Sequence, residues 1–188
     1  MQTCTLALAA AIALPALGFA QTVQYRVLAT NKTSTMQKEM SDAAEAGFRF
    51  AGVTGGETAF GGKEVVAVFQ KAGTGPARFA YKLLATSKTS TMQRELQEAA
   101  NDGYEYVGQT VFESLFGGRE VTVILERDKE KSMKTKYEYK LLATSKTGTL
   151  QKELAQAGAA GYEALGMTVG ETAIGGSELV VITRKALP

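Results

Sequence analysis

Tyr81-Lys82-Leu83-Leu84-Ala85-Thr86-Ser87-Lys88-Thr89-Ser90-Thr91-Met92-Gln93 occurs three times in this chain with small changes. Its opening hexapeptide stands earlier as Tyr25-Arg26-Val27-Leu28-Ala29-Thr30 and later as Tyr139-Lys140-Leu141-Leu142-Ala143-Thr144. The offsets are 56 and 58 residues, and they also carry Gly47 to Gly103 to Gly161. The pair Gly61-Gly62 recurs at the same offsets as Gly117-Gly118 and Gly175-Gly176. Nearly half the positions of the first two copies are identical. Self-similarity at such a period marks a chain built by stacking one supersecondary unit. The units are residues 25–71, 81–127 and 139–185.

Each copy reads as β-α-β-β. The Tyr-x-x-Leu-Ala-Thr segment is short and mostly apolar, which suits a strand. A polar turn follows, and then a helix with one apolar stripe: Met36, Met40, Ala43, Ala44; Met92, Leu96, Ala99, Ala100; Leu150, Leu154, Ala157. Ser34-x-x-Gln37 and Ser90-x-x-Gln93 fit a capping box, in which the Gln reaches back to the helix start. Gly148 replaces the Ser in the third copy, a weaker cap. Gly47, Gly103 and Gly161 suit the left-handed position that ends a helix. A second strand begins at Phe48, Tyr104 or Tyr162, and a polar stretch leads to the Gly-Gly turn. The third strand (65–69, 121–125, 179–182) is the most apolar, which places it inside the sheet.

A unit of about 47 residues buries too little apolar surface to stand comfortably alone. The expected fold is therefore α+β: three tandem β-α-β-β repeats packed together with pseudo-threefold symmetry, antiparallel or mixed sheets, and helices on the outer face. Residues 1–20 read as a signal peptide, apolar, rich in small residues and ending in Gly18-Phe19-Ala20. Cleavage after Ala20 leaves repeat unit 1 as 21–71, a Gly/Pro-punctuated linker at 72–80, unit 2 at 81–127, a charged linker at 128–138 and unit 3 at 139–188. The expected location is the periplasm or outside the cell, with no stable membrane span after cleavage. Cys4 lies in the segment to be removed, so the mature chain has no thiol and no disulfide.

Tyr81-Lys82-Leu83-Leu84, Gly103-Tyr104-Glu105-Tyr106-Val107 and the strand 121–127 together resemble a bacterial family described as domain of unknown function 4177. Unit 3 matches with Gly161-Tyr162-Glu163-Ala164-Leu165, whereas unit 1 has Arg49 in place of the Glu. The resemblance covers each unit once. It implies a β-α-β-β order and no activity.

Composition narrows the chemistry. A net charge of +2, with basic residues spread along the chain, gives no footing for nucleic acid. The chain has no His, and its one Cys is Cys4. That excludes Ser-His-Asp catalysis, a Cys nucleophile and the usual zinc sets in the mature protein. No cofactor or metal is expected, since no Ca-loop spacing appears. Three sets of Glu recur at the repeat offset: Glu39/Glu95/Glu153, Glu57/Glu113/Glu171 and Glu64/Glu120/Glu178. A carboxylate-based hydrolase of glycans or esters needs two carboxyls in unlike environments, and threefold equivalence argues against that.

The candidate ligand-binding residues lie where the first strand feeds the helix: Lys32, Thr33, Ser34; Lys88, Thr89, Ser90; Lys146, Thr147. Free N–H groups at a helix start favour negative charge, and the lysine and hydroxyls add donors. The competing reading is that these hydroxyls only cap the helix. The sequence thus points to an exported, non-catalytic binding or structural module for a small polar or anionic ligand or an envelope protein.

Overall fold

A computed structural model of the chain describes residues 22–57, 63–73, 76–113, 119–131, 136–171 and 176–188. The leader with Cys4, the pairs Gly61-Gly62 and Gly117-Gly118, and Gly175 lie outside the described residues. Unit 1 holds β1 (Val23–Thr30), α1 (Thr33–Glu45), β2 (Arg49–Glu57) and β3 (Lys63–Ala72). Unit 2 holds β4 (Phe79–Thr86), α2 (Thr89–Asn101), β5 (Glu105–Glu113) and β6 (Arg119–Asp128). Unit 3 holds β7 (Lys136–Thr144), α3 (Thr147–Ala159), β8 (Glu163–Glu171) and β9 (Ser177–Leu187). The fold is α+β with three repeated units, as expected.

The sheets are separate, three-stranded and antiparallel, ordered β1-β3-β2, β4-β6-β5 and β7-β9-β8. The third strand of each unit is central, as its apolar run required. β4 and β7 begin inside the stretches read as linkers. The second strand is longer than its short apolar start suggested. In unit 1 it continues through Gly55 and Gly56 to Glu57, paired with β3 throughout. A register shift between Phe50 and Gly52 recurs between Tyr106 and Gly108 and between Ala164 and Gly166. Such a bulge breaks the period-two pattern, so the residues beyond it do not continue the alternation of the strand's start.

Every helix ends in the same way. Gly47, Gly103 and Gly161 have φ of 82°, 83° and 87°. In unit 1 the Phe48 N–H donates to the Ala43 carbonyl and the Gly47 N–H to the Ala44 carbonyl, both at 2.9 Å. This Schellman arrangement satisfies carbonyls the helix would leave free. The basic residue closing the third strand returns to the same point. Lys71 Nζ donates to the Ala46 carbonyl at 2.7 Å and lies over the Phe48 ring. Arg127 and Lys185 lie over Tyr104 and Tyr162 at 5.0 and 5.1 Å.

The core does not stop at unit borders. Met36, Met40, Ala43, Val65, Ala67 and Phe69 of unit 1 share one cluster with Tyr81, Phe112 and Ile124 of unit 2. Met92, Leu96, Val123 and Leu125 of unit 2 share another with Tyr139, Val180 and Ile182 of unit 3. Each helix covers its own sheet, and α1 and α2 also pack on the first strand of the next unit. β6 is accordingly buried on both faces from Val121 to Glu126.

The segment joining units 2 and 3 is tied back to the one joining units 1 and 2. Arg78 Nε donates to Asp128 Oδ1 at 2.9 Å, and the Lys129 N–H to the Arg78 carbonyl at 2.9 Å. The hydrogen bond from Arg78 holds the Asp128 carboxyl down at about 2, against an ordinary 3.8. Because the folded form binds this proton less readily, the stabilising contribution is complete above the ordinary aspartate range. It is lost as pH falls from about 4 towards 2. In Arg78→Ala the NMR titration midpoint of Asp128 should rise into the ordinary range; an unchanged midpoint would contradict the assignment.

Candidate functional site

The Lys-Thr loops sit at the start of each helix. Lys32, Lys88 and Lys146 occupy the cap positions in extended backbone, and none makes a side-chain cap hydrogen bond. The hydroxyl that does act locally lies two residues earlier. Thr30 Oγ1 accepts from the Lys32 N–H at 3.1 Å, Thr86 from Lys88 at 3.1 Å, and Thr144 from Lys146 at 3.3 Å. The helices begin at Thr33, Thr89 and Thr147, so Ser34 and Ser90 fall inside the first turn and do not cap. The expected capping box is not formed.

Gln37 and Gln93, assigned to that box, reach across to the next unit. Gln37 Nε2 donates to the Tyr81 carbonyl at 3.1 Å, and its Oε1 accepts from the Leu83 N–H at 2.7 Å. Gln93 repeats this on β7, with Tyr139 and Leu141 at 2.7 Å each. Gln97 extends it, accepting from the Tyr139 N–H at 3.0 Å and donating to the Tyr137 carbonyl at 3.1 Å. These amides copy the donor–acceptor pattern of a strand. They seal edges β4 and β7 that would otherwise be open to pairing.

Thr89 and Ser90 border an open groove of about 490 Å³ between α2, β7 and α3, with Lys140, Glu153 and Gln156 on its other walls. Lys88 does not line this groove. It lines a small cavity of about 10 Å³ with Glu171 and Glu178 of unit 3, which opposes anion binding there. Thr89 lines both spaces, so of the unit 2 candidates only Lys88 and Ser90 are parted, Ser90 on the groove and Lys88 on the cavity.

Two of the repeated carboxylates, Glu113 and Glu171, serve the unit junctions, as does Glu126. Glu113 of unit 2 is paired with Lys63 of unit 1, and with Arg119 at 3.2 Å. Hydrogen bonding from Lys63 lowers the Glu113 pKa. Glu171 of unit 3 accepts from the Arg119 N–H at 3.1 Å. Glu126 is buried; it accepts from Arg49 Nη2 at 2.9 Å and from the Tyr81 hydroxyl at 2.7 Å. Tyr81 in turn accepts from the Phe50 N–H at 2.8 Å, and burial pushes its phenol pKa strongly upward. Tyr139 accepts from the Tyr106 N–H at 2.9 Å in the same way.

The second junction reverses the first junction's charges. Glu105 stands where unit 1 has Arg49, and Arg184 stands where unit 2 has Glu126. Arg184 Nη1 lies 3.6 Å from Glu105 Oε2. The paired exchange at matching offsets is visible in the sequence, and comparing the copies position by position would have found it. The edge-sealing glutamines gave no such signal, because Ser-x-x-Gln also spells a helix cap.

Among the described residues no group of three His, Cys, Asp or Glu side chains is placed to hold a metal ion. No buried side-chain N or O among them lacks a hydrogen-bond partner. No helix among them is long and apolar enough to cross a membrane. Comparison with family models, with curated proteins and with solved structures returned no match.

Proposed function

We infer that the chain is an exported, non-catalytic binding or structural module whose partner is a small polar ligand or an envelope protein. One observation carries the reading. The side chains best suited to chemistry are committed to holding the units together: Glu126 to Arg49 and Tyr81, Glu113 to Lys63, and Gln37 and Gln93 to strand edges. A carboxylic acid catalyst needs a group kept protonated beside substrate, and Glu126 has its oxygens held by a guanidinium and a phenol. The groove beside α2 mixes Lys140 and Glu153 with hydroxyls, which suits a neutral polar ligand such as a sugar better than a bare anion. Export rests on the apolar leader, and the likeness to the domain of unknown function 4177 rests on the three motif copies.

Thermal-shift screening against sugars, phosphate and nucleotides tests this reading, alongside ester and glycoside hydrolysis assays. A sugar should raise the melting temperature, and Lys140→Ala should abolish that rise without altering the unliganded melting point. Turnover of an ester or glycoside by the purified chain, lost in a Glu153→Gln variant, would contradict it.

A further inference from the structure

Among the described residues, β1 of unit 1 and the Gln151–Met167 face of unit 3 lack the partners that their counterparts have at the two internal junctions. The chain's own junctions show what each end face is built to contact. At both junctions a helix glutamine seals the first strand of the following unit, and that strand's tyrosine hydroxyl accepts an N–H from the preceding second strand. Tyr81 and Tyr139 are 5% and 2% exposed there. Tyr25, their counterpart on β1, is 65% exposed, and Val27, the counterpart of Leu83 and Leu141, is 62% exposed. Among the described residues, no helix glutamine and no second strand covers them.

The glycine sockets agree. A Cβ on Gly108 would meet the Phe50 ring at 3.0 Å and Val53 at 3.4 Å, because those side chains fill the space above it. A Cβ on Gly166 would meet Tyr106 and Gln109 in the same manner. Gly52 is the corresponding residue of unit 1, and nothing lies within 4 Å of its Cβ position. The side chains that would fill that socket are at the other end of the molecule. Met167 corresponds to Val53 and Gln109 and is 60% exposed. Gln151, the counterpart of Gln37 and Gln93, is exposed as well.

We propose that copies of this chain associate head to tail. The unit 3 face formed by Gln151 and Met167 docks on the β1–β2 face of a second copy, at Tyr25, Val27 and Gly52, repeating the internal junctions. Gln151 bridges the Tyr25 carbonyl and the Val27 N–H of the next copy, Met167 enters the Gly52 socket, and the Ala164 N–H meets the Tyr25 hydroxyl. The charges permit it. Glu163 and Gln70 take the places held by Arg49 with Glu126 and by Glu105 with Arg184, so no like charges meet. Solenoid arrays that remain single end in polar caps, and both ends here present apolar side chains. Such a contact is heterologous, so it generates a ring where the rotation closes and a filament where it does not. The inference stands whether or not the groove binds a sugar.

Light scattering on the full chain, and on the chain lacking residues 1–20, tests it at up to a few hundred micromolar. Mass should rise with concentration in at least one of them. Val27→Lys and Met167→Lys should each be monomeric with an unchanged melting temperature, since both positions are exposed in the single copy. Mixed together, these two variants should form a one-to-one dimer and stop, because one keeps an intact tail and the other an intact head. Gly52→Val should likewise block association without loss of fold. Monomers in both full and shortened chains, or variants that associate like the parent, or a mixture that does not dimerise, would each overturn the proposal.

Discussion

Phe69→Ala is expected to destabilise the chain by about 3–5 kcal/mol, the range for removing a fully buried phenylalanine. Phe69 lies on the central strand of unit 1 with no exposed surface. Its ring meets Phe50 edge-on at 5.7 Å and 80°, and Tyr81 of the next unit at 5.2 Å and 84°. Its cluster includes the α1 methionines on one side and Ile124 of β6 on the other. The cavity would therefore be walled by two units held by separate strand ladders, which limits collapse. Urea unfolding followed by circular dichroism measures the loss. Tyr25→Ala provides the contrast. Its exposed ring should cost no more than about 0.5 kcal/mol. A cost below about 1 kcal/mol for Phe69→Ala would mean that the first two units do not share this interior.

Arg49→Glu should cost about 2–3 kcal/mol, less than breaking a wholly buried pair because Arg49 is largely exposed while Glu126 is not. The substitution places a second carboxylate beside a buried one. The pair then holds a proton more tightly in the folded chain than in the unfolded one, so the deficit should shrink as pH is lowered through the carboxylate range. Adding Glu126→Arg should recover most of the loss, because the double variant recreates the Glu105–Arg184 pair of the second junction. A double-mutant cycle isolates the coupling between the two residues. Purely additive losses would show that the junction does not depend on this pair.

Much of the fold was legible because repetition and period survive in the residues. The apolar stripe from Met92 to Ala99, the terminating Gly103 and the run 121–125 each assign an element, and the structure has them as expected. The β5 strand was legible only as far as its bulge at Tyr106/Gly108, since a bulge exchanges the faces on which later residues fall. The Lys-Thr loops were found at the helix starts, but one lysine's position beside Glu171 and Glu178 depends on unit 3 and could not be read locally. Gln93 shows the limit most clearly. A glutamine three residues after a serine satisfies a helix cap in sequence, yet the edge of a strand 46 residues away wins it. The cap has an alternative acceptor in Thr86, whereas the Leu141 N–H has none within its own sheet.

The central claim is that α1 and α2 each seal the exposed edge of the following unit, so that the units fold as one array. Amide hydrogen exchange by NMR on the monomeric Met167→Lys variant tests it most directly. The Leu83 and Leu141 amides should be protected, each bonded to a glutamine of the preceding helix, while the Val27 amide on the uncovered first edge should exchange fast. Equal and rapid exchange at all three amides would contradict the account.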